Sequence, residues 1–279
     1  MALWICLNYV YGWEPQVAEL PFLQRWLAWC GITTIPFFLP YLLIGRTLRR
    51  NLFRERGFLA LLVVAPLIFS LKIALPAIDY LPAVSDRNVF WNHVLYWPGL
   101  LTLTVFLLWL TWTGSGRPAT FFGLRPKGWH WQPYGWMLLM MIPLITWAAT
   151  QPDFQSVYPK IATVENLIQS GAAGWMERIA YELGYGSDFL TIELFFRGFL
   201  VLAFIRWAGT DAILPMACFY CTIHFGKPLA ECISSYFGGL LLGIVAYHNR
   251  SIYGGLMVHL GIAWMMEAGG YWGRMYFSG

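Results

Sequence analysis

Long apolar stretches alternate with short polar ones along almost the whole chain. A membrane-crossing helix needs about 20 mainly apolar residues. The stretches at 26–45, 58–75, 94–112 and 134–149 meet or approach that length. A second set follows at 181–206, 212–225, 229–247 and 251–267. The pattern predicts an all-α fold, a polytopic membrane helical bundle of about eight transmembrane helices, the shorter ones tilted or packed inside it. The opening residues, MALWICLNYVYGWEP, hold no Lys or Arg before their apolar run and no small-residue cleavage site. They make a poor signal peptide and are expected to form an interfacial helix. Segment 151–179 is polar and carries Pro152 and Pro159. It is expected to be an external loop or a helix lying on the membrane.

Composition narrows the picture further. Of 279 residues, 58% are hydrophobic and 11% charged, where soluble domains carry about 25% charged residues. Too few polar side chains remain to cover a water-facing surface, so a soluble enzyme, a disordered chain, collagen and a coiled coil are all excluded. The 16 Trp and 15 Tyr suit the two headgroup levels of a bilayer. A net charge of +4 without a basic and aromatic stripe gives no reason to expect nucleic acid. Cys6, Cys30, Cys218, Cys221 and Cys232 are an odd set, mostly within apolar segments, and are expected as buried free thiols.

The second half differs in character from the first, which divides the chain at 1–180 and 181–279. Its spans carry Glu193, Arg197, His224, Glu231, His259 and Glu267. A charge within a membrane helix costs several kcal/mol unless it finds a partner or a wet cavity. Glu193 and Arg197 stand four residues apart, on one helical face, with the acid N-terminal as the better pairing requires. They can form a functional pair or merely glue helices together. His224 ends one span, Gly226 and Pro228 turn the chain, and Glu231 opens the next, where it also suits the helix macrodipole. Cys218, Cys221 and His224 have a zinc-like spacing, but a helix spreads these three around its axis and a fourth ligand is missing. Ser235, Gly239 and Gly243 form a small-residue ridge that allows close helix packing. His259 lies in mid-span, where it can serve chemistry or bond a neighbouring carbonyl. A carboxylate beside an imidazole can activate water, and a second His can donate to a developing oxyanion.

This arrangement resembles the CPBP family (CAAX protease and bacteriocin-processing, also called Abi) of glutamic-type intramembrane proteases. The family's motifs are E-E-x3-R, F-x3-H and H-x3-N on successive helices. ELFFRGFL supplies Glu193 and Arg197, YCTIH supplies His224, and HLGIA supplies His259. The resemblance covers roughly 189–266, with the phrase FGLRPKGWHW at 122–131 as a weaker echo. It implies catalytic roles for Glu193, Arg197, His224 and His259. Three positions depart from the motifs. Ile192 stands where the family has its water-activating Glu, Ala263 where it has the Asn, and Tyr220 where it has the Phe. Another carboxylate must then take over, or proteolysis has been lost. Glu231 has the shortest tether to His224; Glu267, Glu182 and Asp188 are further candidates.

Three function classes follow: an intramembrane endopeptidase, a non-catalytic scaffold or immunity protein using the same cleft, and a proton-coupled carrier. No internal inverted repeat is evident, which weighs against the carrier. The expected partners are the lipid bilayer and a membrane-associated peptide or protein substrate, with no nucleic acid. No cofactor is called for, and a divalent metal stays open. A multi-pass protein of a bacterial inner (plasma) membrane is the expected setting. Basic residues cluster at Arg46, Arg49, Arg50, Arg54 and Arg56, and again at Arg117, Arg125 and Lys127. The positive-inside rule makes both loops cytoplasmic and both termini external. Reporter fusions at Arg54 and at Gly279 should therefore report opposite sides. The same side for both would mean that one span has been miscounted.

Overall fold

The computed structural model describes residues 1–47, 52–116, 120–125, 131–169, 171 and 174–277. Arg49, Arg50, Arg117 and Lys127 of the basic loops lie outside these residues, as does most of the second half of the 122–131 phrase. Helices account for nearly all of the described chain, and no strand occurs among the described residues. They are α1 (Ala2–Tyr11), α2 (Trp13–Ala18), α3 (Phe22–Thr47), α4 (Arg56–Ala74), α5 (Asp86–Gly114), α6 (Gln132–Ala148) and α7 (Pro152–Val157). Then come α8 (Glu165–Gln169), α9 (Trp175–Glu193), α10 (Ile205–Ala208), α11 (Ile213–Thr222), α12 (Leu229–Asn249) and α13 (Tyr253–Phe277). Between α9 and α10 the chain winds as a π-helix, Leu194–Ala203.

Helices α3, α4, α5 and α12 are each long and apolar enough to cross a membrane unaided. The other expected spans fall on α6, on α9 with its π continuation, on α11 and on α13. Prolines at 36, 40, 66, 98 and 143 lie inside helices, as membrane helices tolerate. Helix α11 has only 10 residues, about 15 Å at 1.5 Å per residue. Nine of those residues, all but Leu214, are buried. It is a core element, apolar around nearly its whole circumference because it meets protein everywhere but at Leu214.

Contacts group the chain into two compact units. The first comprises Met1–Pro76, Leu103–Trp129 and Ile192–Tyr253. Its centre is aromatic: Phe37 and Tyr41 of α3, Phe58 and Phe69 of α4, Phe195, Phe196 and Phe199 of the π-helix, Phe204, and Phe219 of α11. Most neighbouring rings meet at edge or tilted angles, with Phe69 and Phe195 centroids 4.6 Å apart and Phe37 and Phe219 5.5 Å apart, while Tyr41 and Phe204 stack at 5.8 Å. Such geometry adds to the gain from burial alone. Polar bonds tie the N-terminal helices together: Trp4 Nε1 donates to the Ile32 carbonyl at 2.9 Å, Trp26 Nε1 to the Leu67 carbonyl at 3.2 Å, and Thr33 Oγ1 meets Ser70 Oγ at 3.1 Å. The far side of α1 leaves Leu3, Val10 and Tyr11 exposed.

The second unit comprises Ala77–Thr102, His130–Thr191 and Gly254–Gly279. Helix α13 turns Gly254, Gly261 and Gly269 toward Tyr134, Leu138 and Ile145 of α6. These glycines recur every seven or eight residues, and they let the two helices approach where larger residues would collide. The polar segment 151–179 is not a plain loop. It folds into α7, a 3-10 turn at Lys160–Val164, α8 and the start of α9. Ile161, Val164 and Ile168 bury against Phe90, Val94 and Tyr181. Arg274 donates to the Gln155 carbonyl through Nε at 3.1 Å and Nη2 at 2.9 Å.

All five cysteines are free, but only Cys218, Cys221 and Cys232 are buried; Cys6 is exposed and Cys30 is half-buried. The expectation of buried thiols is corrected at those two positions: Cys6 lies on the outer face of α1, and the half-buried Cys30 bonds the Ser70 side chain.

The π-helix is held in the first unit by a close backbone approach. A Cβ at Gly198 would strike the carbonyl oxygen of Phe122. Phe122 itself takes the left-handed conformation (φ 43), as does Gly123 (φ 78). The Gly123 carbonyl accepts from the Ile252 amide at 3.2 Å, and the Phe122 ring rests on Phe199 with centroids 5.3 Å apart. The FG of the upstream phrase and the RG of the motif thus form one contact. Gly198→Ala should lower stability by about 1–3 kcal/mol, read as a fall in unfolding temperature in detergent. An unchanged midpoint would mean that the 122–123 strap does not bear on the π-helix.

Candidate active site

The expected pairing of Glu193 with Arg197 is present. Arg197 Nη1 lies 3.0 Å from Glu193 Oε1, with the two side chains 1% and 0% exposed. Glu193 is the last residue of α9 and Arg197 sits in the first turn of the π-helix. Helical backbones that hydrogen-bond five residues back are rare and recur at functional sites. The guanidinium does not stop at the carboxylate. It also lies over the ring of Tyr220, 4.3 Å from the ring centroid. Cation–π attraction of this kind strengthens when water is excluded.

Helix α11 carries Tyr220 and leads directly to His224. The imidazole packs edge-on against the Tyr220 ring, with centroids 4.8 Å apart. Its Nδ1 lies 3.2 Å from the Tyr220 backbone carbonyl. A carbonyl can only accept, so Nδ1 is the donor in this bond. Tyr220 is seated in turn by α12: a Cβ at Gly239 would come within 3.0 Å of Tyr220 Cδ1. One turn on, Gly243 faces Ile213 and Met216. The small-residue ridge is a packing device, as expected, and what it admits is the element bearing His224.

The turn after His224 is tight, with the Lys227 amide donating to the His224 carbonyl at 3.1 Å. Glu231 Oε1 lies 3.7 Å from Lys227 Nζ, and its carboxylate is within electrostatic reach of the Tyr220 phenol. Two residues outside the sequence-level candidates cover this turn. Tyr9 of α1 donates its hydroxyl to the Lys227 carbonyl at 2.6 Å. Glu14 of α2 lies against Gly226, whose Cβ would come 2.7 Å from Glu14 Oε2, and partial burial raises the Glu14 carboxyl above its ordinary value. Neither residue lies near the motifs in sequence, so no spacing rule could have found them. Gly226 needs its left-handed φ of 84 for the turn, and it also leaves room for that carboxylate.

Cys218, Cys221 and His224 do not converge. Among the described residues no group of three His, Cys, Asp or Glu side chains is placed to hold a metal ion. Cys221 faces Cys232 instead, Sγ to Sγ 3.9 Å, across the base of the α11–α12 turn. Ile192, at the position of the family's first Glu, is buried.

The remaining candidates belong to the second unit. His259 of α13 packs against Phe189 of α9, ring centroids 4.8 Å apart. Ala263 is buried one turn further on. Glu267 is buried and accepts the amides of Lys160 at 2.8 Å and Ile161 at 3.4 Å, so its carboxylate organises the 3-10 turn. Glu182 lies within electrostatic reach of Glu267.

Removing one member of the Glu193–Arg197 pair leaves an uncompensated buried charge, worth about 3–5 kcal/mol. Glu193→Gln and Arg197→Met alone should each destabilise the protein more than the two together, in a double-mutant cycle of thermal unfolding in detergent. Simple additivity would show that the pair contributes no coupling.

Neither a curated protein nor a solved structure matches the chain. A family model does match, over residues 188–265, and it is described as Type II CAAX prenyl endopeptidase Rce1-like. The matched stretch runs from the end of α9 through α13's His259 and contains the pair, the Tyr220–His224 contact and the Glu231 turn. The chain therefore carries an Rce1-like domain at 188–265, consistent with membership of the CPBP family.

Proposed function

We propose that this protein is an intramembrane endopeptidase of the CPBP type. It would hydrolyse a peptide bond in a membrane-associated peptide or protein, one bearing a lipid or a membrane sorting signal, within a bacterial inner membrane. The observation that carries this reading is the placement of His224: an imidazole held at Nδ1 by the Tyr220 carbonyl, next to the ring that carries the buried Glu193–Arg197 pair, inside the Rce1-like stretch.

On this reading His224 Nε2 takes a proton from the attacking water. The partner carboxylate is Glu231, because Ile192 has no proton-accepting group and Glu193 is committed to Arg197. Lys227 Nζ lies 3.7 Å from Glu231 Oε1. For His259 only the motif order of the resemblance implies a role, as donor to an oxyanion, and Ala263 brings no side-chain amide. General acid–base catalysis of this sort contributes about 10²–10⁴-fold.

The losses at Ile192 and Ala263 favour a second reading, a non-catalytic scaffold that binds a membrane partner through the same residues. Purified protein in lipid and a co-expressed lipidated substrate separate the two. Cleavage by wild type, abolished in His224→Ala and reduced at least about 10²-fold in Glu231→Gln, supports the peptidase. Turnover unchanged in Glu231→Gln would remove Glu231 from the mechanism. Binding of the substrate without cleavage, equal in wild type and His224→Ala, would select the scaffold.

A further inference from the structure

Cys221 and Cys232 face one another where α11 ends and α12 begins, Sγ to Sγ 3.9 Å. The Cys221 thiol reaches the Cys232 carbonyl at 3.3 Å, and the Cys232 thiol reaches the Cys221 carbonyl at 3.8 Å. The two side chains therefore cross rather than point apart, as residues joined by a disulfide must. Both are fully buried. They share a cluster with Val17, Trp29, Ile32 and Phe225, and Tyr9 and Trp13 of the N-terminal helices pack on it. Cys221 stands three residues before His224, and Cys232 adjoins Glu231. A bond between the sulfurs would tie together the two limbs of the turn that carries the proposed base and acid. The positive-inside rule also places this turn. With the C-terminus external, α13 starts on the cytoplasmic side and α12 on the external side, so the turn before α12 is external. Thiols outside the cytoplasm meet disulfide-bearing oxidants, whereas cytosolic reductants keep them free.

We infer that Cys221 and Cys232 form a reversible staple: a disulfide-bearing oxidant of the external side joins them, and closure switches the site off. The catalytic consequence rests on the peptidase reading; the bond itself does not. The thiolate of one cysteine attacks a sulfur of the oxidant RS–SR and expels RS⁻, leaving a mixed disulfide. The second thiolate attacks the first cysteine's sulfur and expels the other RS⁻. The pair gives up two protons and two electrons, and the oxidant leaves as two thiols. A thiol reductant reverses both steps. Buried thiols react only when uncovered. The cover here is α1 and α2, helices of 10 and 6 residues, and short elements of this kind open locally at low cost in free energy. Closure must shrink the 3.9 Å gap to about 2.05 Å. Side-chain rotation supplies part of that, but both thiols are packed on all sides, so the remainder is movement of the turn itself. Misplacing a reacting group by about 1 Å can cost 10²-fold in rate, and His224 and Glu231 ride on the two limbs that move.

The test uses the full chain in detergent, equilibrated with reduced or with oxidised glutathione, quenched with N-ethylmaleimide, digested and read by mass spectrometry. In the reduced buffer Cys221 and Cys232 should both carry the label. In the oxidised buffer, after cleavage at Phe225, the pieces bearing 221 and 232 should stay linked until dithiothreitol is added. Cys221→Ala and Cys232→Ala should each abolish the link, and either one carries the control if the other fails to fold. On a cleaved substrate, oxidised wild type should turn over about 10- to 100-fold more slowly than reduced wild type, with the rate restored by dithiothreitol. Both variants should keep the reduced wild-type rate in either buffer. Cys221 and Cys232 still labelled after oxidation would overturn the staple, and so would a link from Cys218 to either of them. A linked protein with undiminished turnover would overturn the switch. Link formation needs no turnover, so an inactive reduced wild type would sink the peptidase reading while the staple was still decided.

Discussion

A carboxylate and a guanidinium, both shut away from water, constrain the whole first unit. Neither could be buried alone in an apolar bundle, because desolvating a single ion costs more than packing can return. Together they remain expensive unless further groups satisfy them. The Tyr220 face meets part of that need, which requires α11 to lie against the π-helix at this level. Placing α11 there requires a slot in α12, which Gly239 and Gly243 provide. The position of His224 at the end of α11 then follows. The charge pair thus organises the site through packing, over and above any role in chemistry.

The π-helix belongs to the same constraint. Its ten residues supply Phe195, Phe196 and Phe199 to the aromatic centre while keeping Arg197 turned to Glu193 and Tyr220. A backbone wound this widely is uncommon and needs support from its surroundings. Two such supports are visible: the interlocked rings of α3, α4 and α11, and the 122–123 strap pressed onto Gly198. Dense ring packing leaves little room for the segment to rewind, since protein interiors are close-packed and respond to small volume changes.

The N-terminal helices enter the site from far away in sequence. Tyr9 and Glu14 rest on the turn between His224 and Glu231, where the chain would otherwise present bare backbone to its surroundings. An unpaired carbonyl in an apolar setting costs free energy comparable to a lost hydrogen bond, and Tyr9 satisfies the one at Lys227. The helices that look least like a protease in sequence therefore help to shape the turn that carries the proposed acid and base.

The sequence by itself determined the fold class and the sites of charge. Apolar runs of membrane length and a shortage of charged residues leave only a helical bundle, because backbone polar groups in lipid must be satisfied within each segment. The i,i+4 spacing of Glu193 and Arg197 fixed their pairing, since local helix geometry alone brings them together. The motif order was legible for the same reason: each motif occupies only about one helical turn of chain. What only the tertiary structure decided involves groups far apart in the chain. Periodicity cannot say that 151–179 folds into short helices tied down by Glu267 and Arg274, or that α11 is buried around nearly its whole circumference. It cannot say that Gly254, Gly261 and Gly269 seat α13 on α6, or that Cys221 faces Cys232 rather than a metal. Nor could the exchange of Phe for Tyr220 be read as more than a mild change, because its meaning lies in Arg197 above the ring and His224 beside it. Contacts between helices depend on which faces pack together, and that choice is made by the volumes and charges of the whole core at once.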